Sequence, residues 1–474
     1  KICLMCWAEN TVAGLVGTKS GPPCFKGCVY TPVGGRQSSG ELAQGLRHTL
    51  RHKRFLGTMF SGSLKRATVG RAFVFSQRRS LAQLATASKS GQVVRVEWTD
   101  GHETTYHPVW LADHDPKTIH ETSLQRQLDS PSLDLNMGLP DVVRVGDNGE
   151  TLHLEWQGNK VCYDANWLRK HAYDKSSQEQ RAVKSTGSAK RLWAGKLPES
   201  VFFQAADMLT SDEELFKVVD SLDKYGVAIV RNMPQSMEET EEICLRIAPP
   251  RETFYGRMWD TKPKVQVADA VVNDTAYTKD GLHCHTDTCY LMDSAGLQVF
   301  NCVEQSGSSR ELNEEGELEG ATKLVDSFKM LEDMRVEHPE TFRFFADNAL
   351  KWYSIEDGIH VTSWAKVITF QPDGNENVIT QFRYNNYDLA PIDYLTPEQI
   401  PKYYEHTKIL NSYLRSPKYI AYYRLNVGEM VIIDNHRVCH GRTAFTGDRN
   451  LVGCYIGCDD WKSKYNVLKK RFSQ

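Results

Sequence analysis

From about residue 91 onward, stretches of alternating apolar and polar residues recur, separated by clusters of Gly, Pro, Asn, Asp and Ser. A period of two marks a half-buried strand, and a short continuous apolar run marks a fully buried one. One pattern occurs twice. Residues 94–114 read VRVEWTDGHETTYHPVWLADH and residues 152–171 read LHLEWQGNKVCYDANWLRKH. Each copy runs from an alternating strand ending in Glu-Trp, through a polar turn and a Tyr, to Trp-Leu-x-x-His. The repeat predicts a small β-rich domain over 89–175, with Trp110, Leu111, Trp167 and Leu168 in its core. The next stretch is rich in Ser, Lys and Gln without periodicity, which predicts a linker over 176–192.

Residues 193–474 carry a different rhythm. Ser211-Asp-Glu-Glu puts acids into the first turn of a helix expected to reach about Tyr225, where Gly226 leads into the strand VAIVRN. Met237–Ile247 reads as a second helix, stopped by Pro249-Pro250. Thr396-Pro-Glu-Gln is a capping box that starts a third, to about Leu414. Between these lie LQVFNCV, TKLVDSF, KVITFQ, ITQFRYN, YRLNV, MVIID and LVGCYIG. Many short strands with a few flanking helices predict a mainly β double-stranded β-helix, or jelly roll. Gln305–Glu319, rich in Ser, Gly and Glu, predicts a solvated loop.

Charge changes the picture at the N-terminus. Between Leu42 and Val96 there is no Asp or Glu, while Arg47, Arg51, Lys53, Arg54, Lys65, Arg66, Arg71, Arg78, Arg79, Lys89 and Arg95 are all present. With its Ser, Ala, Leu and Phe, this is the composition of a mitochondrial transit peptide, and Met59 opens a segment that would serve as one alone. Residues 1–88 are therefore expected to be a targeting or disordered region, and the mature chain to lie in the mitochondrial matrix. The net charge of −3 gives no bulk case for nucleic acid as a partner. No apolar run is long enough to predict a membrane span. The 12 cysteines do not fall into the spacing of a secreted disulfide framework and read as reduced thiols.

The sharpest local chemistry is His285-Thr-Asp287. Residues two apart on a strand or its extension point the same way, so this imidazole and carboxylate can face one metal. By position alone the third ligand stays open among His440, His436, His283 and His102. Two imidazoles and one carboxylate on one face leave three positions free, the arrangement that suits non-haem Fe(II). Arg449, nine residues past His440, offers a fork suited to a carboxylate such as the distal end of 2-oxoglutarate.

The blocks RETFYGRMW (251–259), NDTAYTKDGLHCHTDTCY (273–290), LQVFNCV (297–303), FRYNNYD (382–388) and IIDNHRVCHGRTAFTGDRNLVGCYIGCDD (432–460) resemble the γ-butyrobetaine and trimethyllysine dioxygenase family. Arg257-Met-Trp, Asp274-Thr-Ala-Tyr and Arg383-Tyr-Asn-Asn-Tyr-Asp are closer to its trimethyllysine branch. The resemblance covers roughly 91–465 and is stronger in the second half. It implies His285, Asp287 and His440 as ligands of Fe(II) and as the catalytic centre. It also implies Arg449 and Thr322 as 2-oxoglutarate contacts, and ascorbate as reductant. The family's aromatic cage falls on Tyr255, Trp259, Tyr277 and Tyr455, which suits a quaternary ammonium that can donate no hydrogen bond. Asp274 with Asn385 or Asn386 falls at the polar end of the substrate, where Asp274 can pair with an α-ammonium. The implied activity is hydroxylation of Nε-trimethyllysine at C3 with 2-oxoglutarate and O2, the first step of carnitine biosynthesis, by an enzyme that is a dimer.

The chain departs from the family where a zinc site would lie. In Trp110-Leu-Ala-Asp-His-Asp115-Pro-Lys-Thr-Ile-His120, Asp115 and His120 stand where cysteines are expected, and the closing His position reads Asn159. Without its thiolates such a site is weak, so no structural zinc is expected. Two alternatives remain. One is γ-butyrobetaine hydroxylation, which would favour a neutral amide at position 274. The other is a non-catalytic module for methylammonium ligands, against which the complete ligand trio and Arg449 argue.

Overall fold

The computed structural model describes residues 82–186, 190–262, 275–306, 317–356, 358–372 and 376–473. Residues 1–81, which carry most of the expected transit peptide, and Asp274 lie outside the described residues.

The predicted repeat folds the same way twice. Strands β1 (Leu84–Ser90), β2 (Val93–Trp98) and β3 (Glu103–Tyr106) form one antiparallel sheet, followed by the short helix Pro108–Asp113. Strands β4 (Val142–Val145), β5 (Thr151–Trp156) and β6 (Asn159–Asp164) form a second, followed by the helix Ala165–His171. The alternation places Val94, Val96, Leu152 and Leu154 inward, where they share one core with Leu111 and Leu168. The two copies are laced reciprocally. Tyr106 of the first donates to Leu168 O of the second at 2.9 Å, and Tyr163 of the second donates to Leu111 O of the first at 2.5 Å. The Trp partners of those leucines are only half-buried and lie against each other, with ring centroids 5.7 Å apart. Asp115 Oδ1 accepts from Lys117 N, and His120 Nδ1 accepts from Ser123 N, so both side chains turn to their own loops.

Two expected boundaries need correction. The first strand starts at Leu84, inside the span assigned to the leader. In LATASKS only Leu84 is buried, so no alternation betrayed it. The expected linker is largely helical, over Lys175–Thr186, with Asp174 Oδ1 accepting from Ser177 N at 2.9 Å. A helix with little apolar surface leaves no periodic trace, and only its capping residue was there to be read.

The remaining strands are β7 (Phe202–Gln204), β8 (Val227–Arg231), β9 (Trp259–Asp260), β10 (Leu282–His285), β11 (Leu297–Ser306) and β12 (Thr322–Asp326). They continue with β13 (Ala349–Glu356), β14 (Ile359–Lys366), β15 (Ile368–Phe370), β16 (Ile379–Phe382), β17 (Ile420–Tyr423), β18 (Glu429–Asp434), β19 (Val438–Arg442) and β20 (Asp448–Ile456). A major sheet has the order β7-β8-β18-β11-β20-β9, and a minor sheet has the order β10-β19-β12-β17. From β10 to β12, and again from β17 to β20, the chain alternates between the two sheets. The architecture is mainly β with helices outside, and this alternation is consistent with a jelly-roll core.

The helix Asp212–Tyr225 starts on the Ser211 side chain, which accepts from Glu214 N at 3.2 Å. It ends at Gly226, whose φ of +76° allows the chain to turn into β8. Its Leu215, Val218, Val219 and Leu222 pack with Ala228, Val230 and Ile432 on the major sheet. A fully buried ion pair joins the minor sheet to this helix. Arg437 donates to both Asp326 oxygens, at 2.9 and 2.8 Å, and to the carbonyls of Lys224 and Arg191 at 2.8 Å each.

Asp223 makes a testable contribution to stability. Lys462 Nζ lies 2.9 Å and Lys190 Nζ 3.4 Å from its carboxylate, tying three segments together. Burial alone would raise its pKa, but the two lysines outweigh it and hold the carboxyl at about 2. A carboxyl depressed by folding contributes stability above its unfolded pKa near 4 and loses it as the pH falls toward 2. Asp223→Asn should therefore cost about 2 kcal/mol at pH 7 and markedly less at pH 2, as measured by denaturant unfolding at the two pH values.

Candidate active site

The ladder between β10 and β19 sets His285 directly opposite His440. Residues paired across a ladder share a face, and Asp287, two past His285, stays on it. The imidazole centroids are 4.5 Å apart. Nε2 of His285 and Nε2 of His440 lie 3.2 and 3.5 Å from Asp287 Oδ1. One ligand atom from each of the three lies within 4.8 Å of the others, and no other such group occurs among the described residues.

His285 and Asp287 are oriented by neighbours, while His440 Nδ1 is buried without a hydrogen-bond partner. His285 Nδ1 is 2.7 Å from His283 O, and a carbonyl only accepts, so Nδ1 carries the proton and Nε2 is turned to the centre. Burial lowers the His440 pKa to about 4, with His285 adding to the effect against the pull of Asp287. His440 is thus neutral at pH 7, the form that binds a metal. Burial would raise the Asp287 pKa, but His440, His285 and the Tyr455 hydroxyl hold it well below the ordinary carboxylate range. Its Oδ2 accepts from Tyr455 OH at 2.8 Å and from Gln298 Nε2.

The backbone of Asp287 is clamped by Asn435. Asn435 Oδ1 accepts from Asp287 N at 2.9 Å and Nδ2 donates to Asp287 O at 3.1 Å. Arg383 secures the loop beyond, donating to the carbonyl of Cys289 at 2.5 Å and to that of Leu291. Thr288 sits at φ +59°, a costly conformation for a β-branched residue. Its hydroxyl donates to Asp287 O at 2.7 Å and accepts from Ala295 N at 2.8 Å, which holds the strained turn. Two imidazole nitrogens and one carboxylate oxygen, grouped on one side of a cavity, fit a non-haem iron.

The same cavity is lined by Tyr255, Trp259, Tyr277 and Tyr455, and by Asn385, Thr322 and Arg449. Trp259 and Tyr455 face each other at 5.5 Å, on adjacent strands of the major sheet. Arg442 pins the turn that carries Tyr277 by donating to Ala276 O at 2.7 Å and Thr275 O at 3.1 Å. Arg449 is buried, and its Nε has no hydrogen-bond partner. Burial, with the charge of Arg442, pushes its pKa down to about 10. Among the described residues no carboxylate pairs with it. The Thr322 hydroxyl is likewise buried without a partner. A buried guanidinium is costly until an anion meets it.

Asn386 differs from expectation. It is exposed, outside this cavity, and accepts from Tyr384 OH at 3.3 Å. Asn385, one residue earlier, takes the inward place. Sequence reasoning missed Gln298, Asn435, Tyr290 and Asp388. Tyr290 OH lies 2.9 Å from Tyr255 OH and so braces the aromatic wall. A polar residue inside the apolar run LQVFNCV was the one available signal for Gln298. Asn301 in the same run has a structural use, donating to Pro234 O and Thr240 Oγ1 at 2.8 Å each.

Residues 196–455 match the family described as "Taurine catabolism dioxygenase TauD, TfdA family". The chain belongs to this family of dioxygenases, and its two-histidine, one-carboxylate site is that of the iron- and 2-oxoglutarate-dependent class. It is 32% identical over 440 residues to the mitochondrial trimethyllysine dioxygenase of Rattus norvegicus, covering 89% of this chain and 98% of that one. The Homo sapiens enzyme of the same name is 34% identical over 362 residues, covering 74% and 80%. The γ-butyrobetaine dioxygenase of Pseudomonas sp. is 27% identical over 399 residues, covering 82% and 97%.

Tyr455→Phe keeps the ring but removes a donor to Asp287. Loss of an outer hydrogen bond of this kind should weaken Fe(II) or Mn(II) binding about 10-fold, as measured by anaerobic titration of the purified chain.

Proposed function

We propose that this chain is a trimethyllysine dioxygenase, which hydroxylates Nε-trimethyllysine at C3 with 2-oxoglutarate and O2 to give 3-hydroxy-trimethyllysine, succinate and CO2. One observation carries the reading. The aromatic wall of Tyr255, Trp259, Tyr277 and Tyr455 lines the same cavity as His285, Asp287 and His440. The names of its relatives favour trimethyllysine over γ-butyrobetaine, at 32% and 34% identity against 27%. The product would enter carnitine biosynthesis.

His285, Asp287 and His440 would hold Fe(II), which when bound supplies the activation of O2 against 2-oxoglutarate. Arg449 then binds the distal carboxylate of the co-substrate with its fork, relieving its own buried charge. The Thr322 hydroxyl donates to the same molecule. The aromatic faces hold the trimethylammonium and so set which carbon lies nearest the metal. Asp274 pairs with the α-ammonium. Asn385 stands at the amino-acid end, and ascorbate serves as reductant.

The wider reading is a double-stranded β-helix over 193–474 behind a separate small β-rich domain without structural zinc. The enzyme works as a homodimer in the mitochondrial matrix, delivered there by the basic leader. No helix among the described residues is long and apolar enough to cross a membrane.

The purified chain, given Fe(II), ascorbate, 2-oxoglutarate and O2, should add one oxygen to trimethyllysine with succinate formed in step, read by mass. Oxygen gained on γ-butyrobetaine alone would overturn the substrate. Arg449→Ala should raise the KM for 2-oxoglutarate at least about 100-fold, because a charge-assisted bidentate contact is lost.

A further inference from the structure

The cavity wall holds a carboxylate that is not a metal ligand. Asp388 lines the cavity beside Tyr290, Asn385 and Tyr387. Its position is built rather than incidental. Asn385 Nδ2 donates to Asp388 Oδ2 at 2.7 Å, while Asn385 Oδ1 accepts from Tyr387 N at 2.9 Å. Both ends of the Asn385 amide are therefore committed to its own loop. The loop is fixed in turn to β13. Trp352 Nε1 donates to Asn385 O at 3.1 Å, and Tyr353 N donates to Asp388 O at 3.0 Å. On its other side Tyr387 OH accepts from His283 N at 3.1 Å, and its ring meets the His285 ring edge-on at 5.8 Å. The carboxylate thus stands at a defined place in the cavity that also holds His285 and Tyr290.

We infer that Asp388, positioned by Asn385, is a specificity-determining residue that accepts from the α-ammonium of the substrate; this rests on the reading of the chain as a trimethyllysine dioxygenase. A primary ammonium carries three N–H donors and no acceptor. Burying one beside a single carboxylate leaves donors unsatisfied, so a second acceptor is required of any cavity that takes an amino acid whole. A quaternary ammonium has no N–H and makes no such demand, so the aromatic wall does not compete for Asp388. A substrate lacking the α-ammonium would forgo this charge-assisted contact, and the site would disfavour it for that reason. Asn385 accordingly acts on the substrate through Asp388 and is a positioning residue.

The test compares trimethyllysine with its deamino analogue, 6-(trimethylammonio)hexanoate, in the wild type, Asp388→Asn and Asn385→Ala. Asp388→Asn keeps an oxygen that can accept from Asn385 and so preserves the loop. The readout is the ratio of kcat/KM for trimethyllysine to that for the analogue. This ratio should fall about 30-fold in Asp388→Asn, mainly through the KM for trimethyllysine, because one charge-assisted hydrogen bond is lost. It should fall less in Asn385→Ala. Equal losses on both compounds, leaving the ratio unchanged, would show that Asp388 is structural and overturn the inference. A wild type that turns over neither compound would instead overturn the substrate reading, and this inference with it.

Discussion

A guanidinium and a carboxylate buried wholly out of water tie the minor sheet to the helix Asp212–Tyr225 and to the chain arriving at Arg191. Asp326 closes β12 and Arg437 stands just before β19, so their pairing fixes how these strands meet. Each charge is affordable in the interior only because every polar arm is met. Arg437 also caps the carbonyl end of the helix Asp212–Tyr225, and Asp326 also accepts from Trp193 N at 3.1 Å and Phe328 N at 3.2 Å. Removing one partner of such a pair typically costs about 3–5 kcal/mol, because the other is left charged and unmet. Strand, helix and incoming chain are consequently locked as one unit. Within that unit β12 carries Thr322 at its far end and β19 carries His440.

Several of the exceptions to this satisfied interior share one place. Thr322 Oγ1, Arg449 Nε, Gln298 Oε1 and Trp259 Nε1 are all buried without a partner, and all four residues line the cavity of the metal ligands. The strained Thr288 adjoins Asp287. Local rules broken together around one cavity are the mark of a site kept ready for a ligand. The minor sheet supplies the histidines and the major sheet supplies Gln298, Arg449 and Tyr455. The chemistry therefore depends on how the sheets face each other as much as on any one strand.

Much of this was legible in the residues. The helix Asp212–Tyr225 was written by its cap and its terminal glycine, and the strands by apolar runs. The repeat at 94–114 and 152–171 pointed to two like units, because period-two alternation survives without knowledge of partners. Strand β1 and the helix Lys175–Thr186 escaped because neither buries a regular apolar face. At the site, His-x-Asp spacing singled out His285 and Asp287 but left four candidates for the third ligand. Only tertiary pairing separates them. His440 lies opposite His285, while His436 is 3.2 Å from Ser294 Oγ, His283 is exposed and His102 belongs to the N-terminal sheets. The choice between Asn385 and Asn386 likewise turned on one residue of backbone direction. Asn435, Gln298 and Asp388 were invisible for the same reason, since a polar residue declares its purpose only through what it touches.

Tyr455 belongs to two places at once. Its ring forms part of the aromatic wall, and its hydroxyl is bound to the carboxylate of the metal site. A single side chain thus connects the aromatic wall to the carboxylate of Asp287. Such linkage is reciprocal: whatever factor a bound cation imposes on the metal, the metal imposes on the cation. Under the proposed function, a cation at the wall and a metal at the carboxylate would share this one side chain, and neither would be gained or lost without bearing on the other.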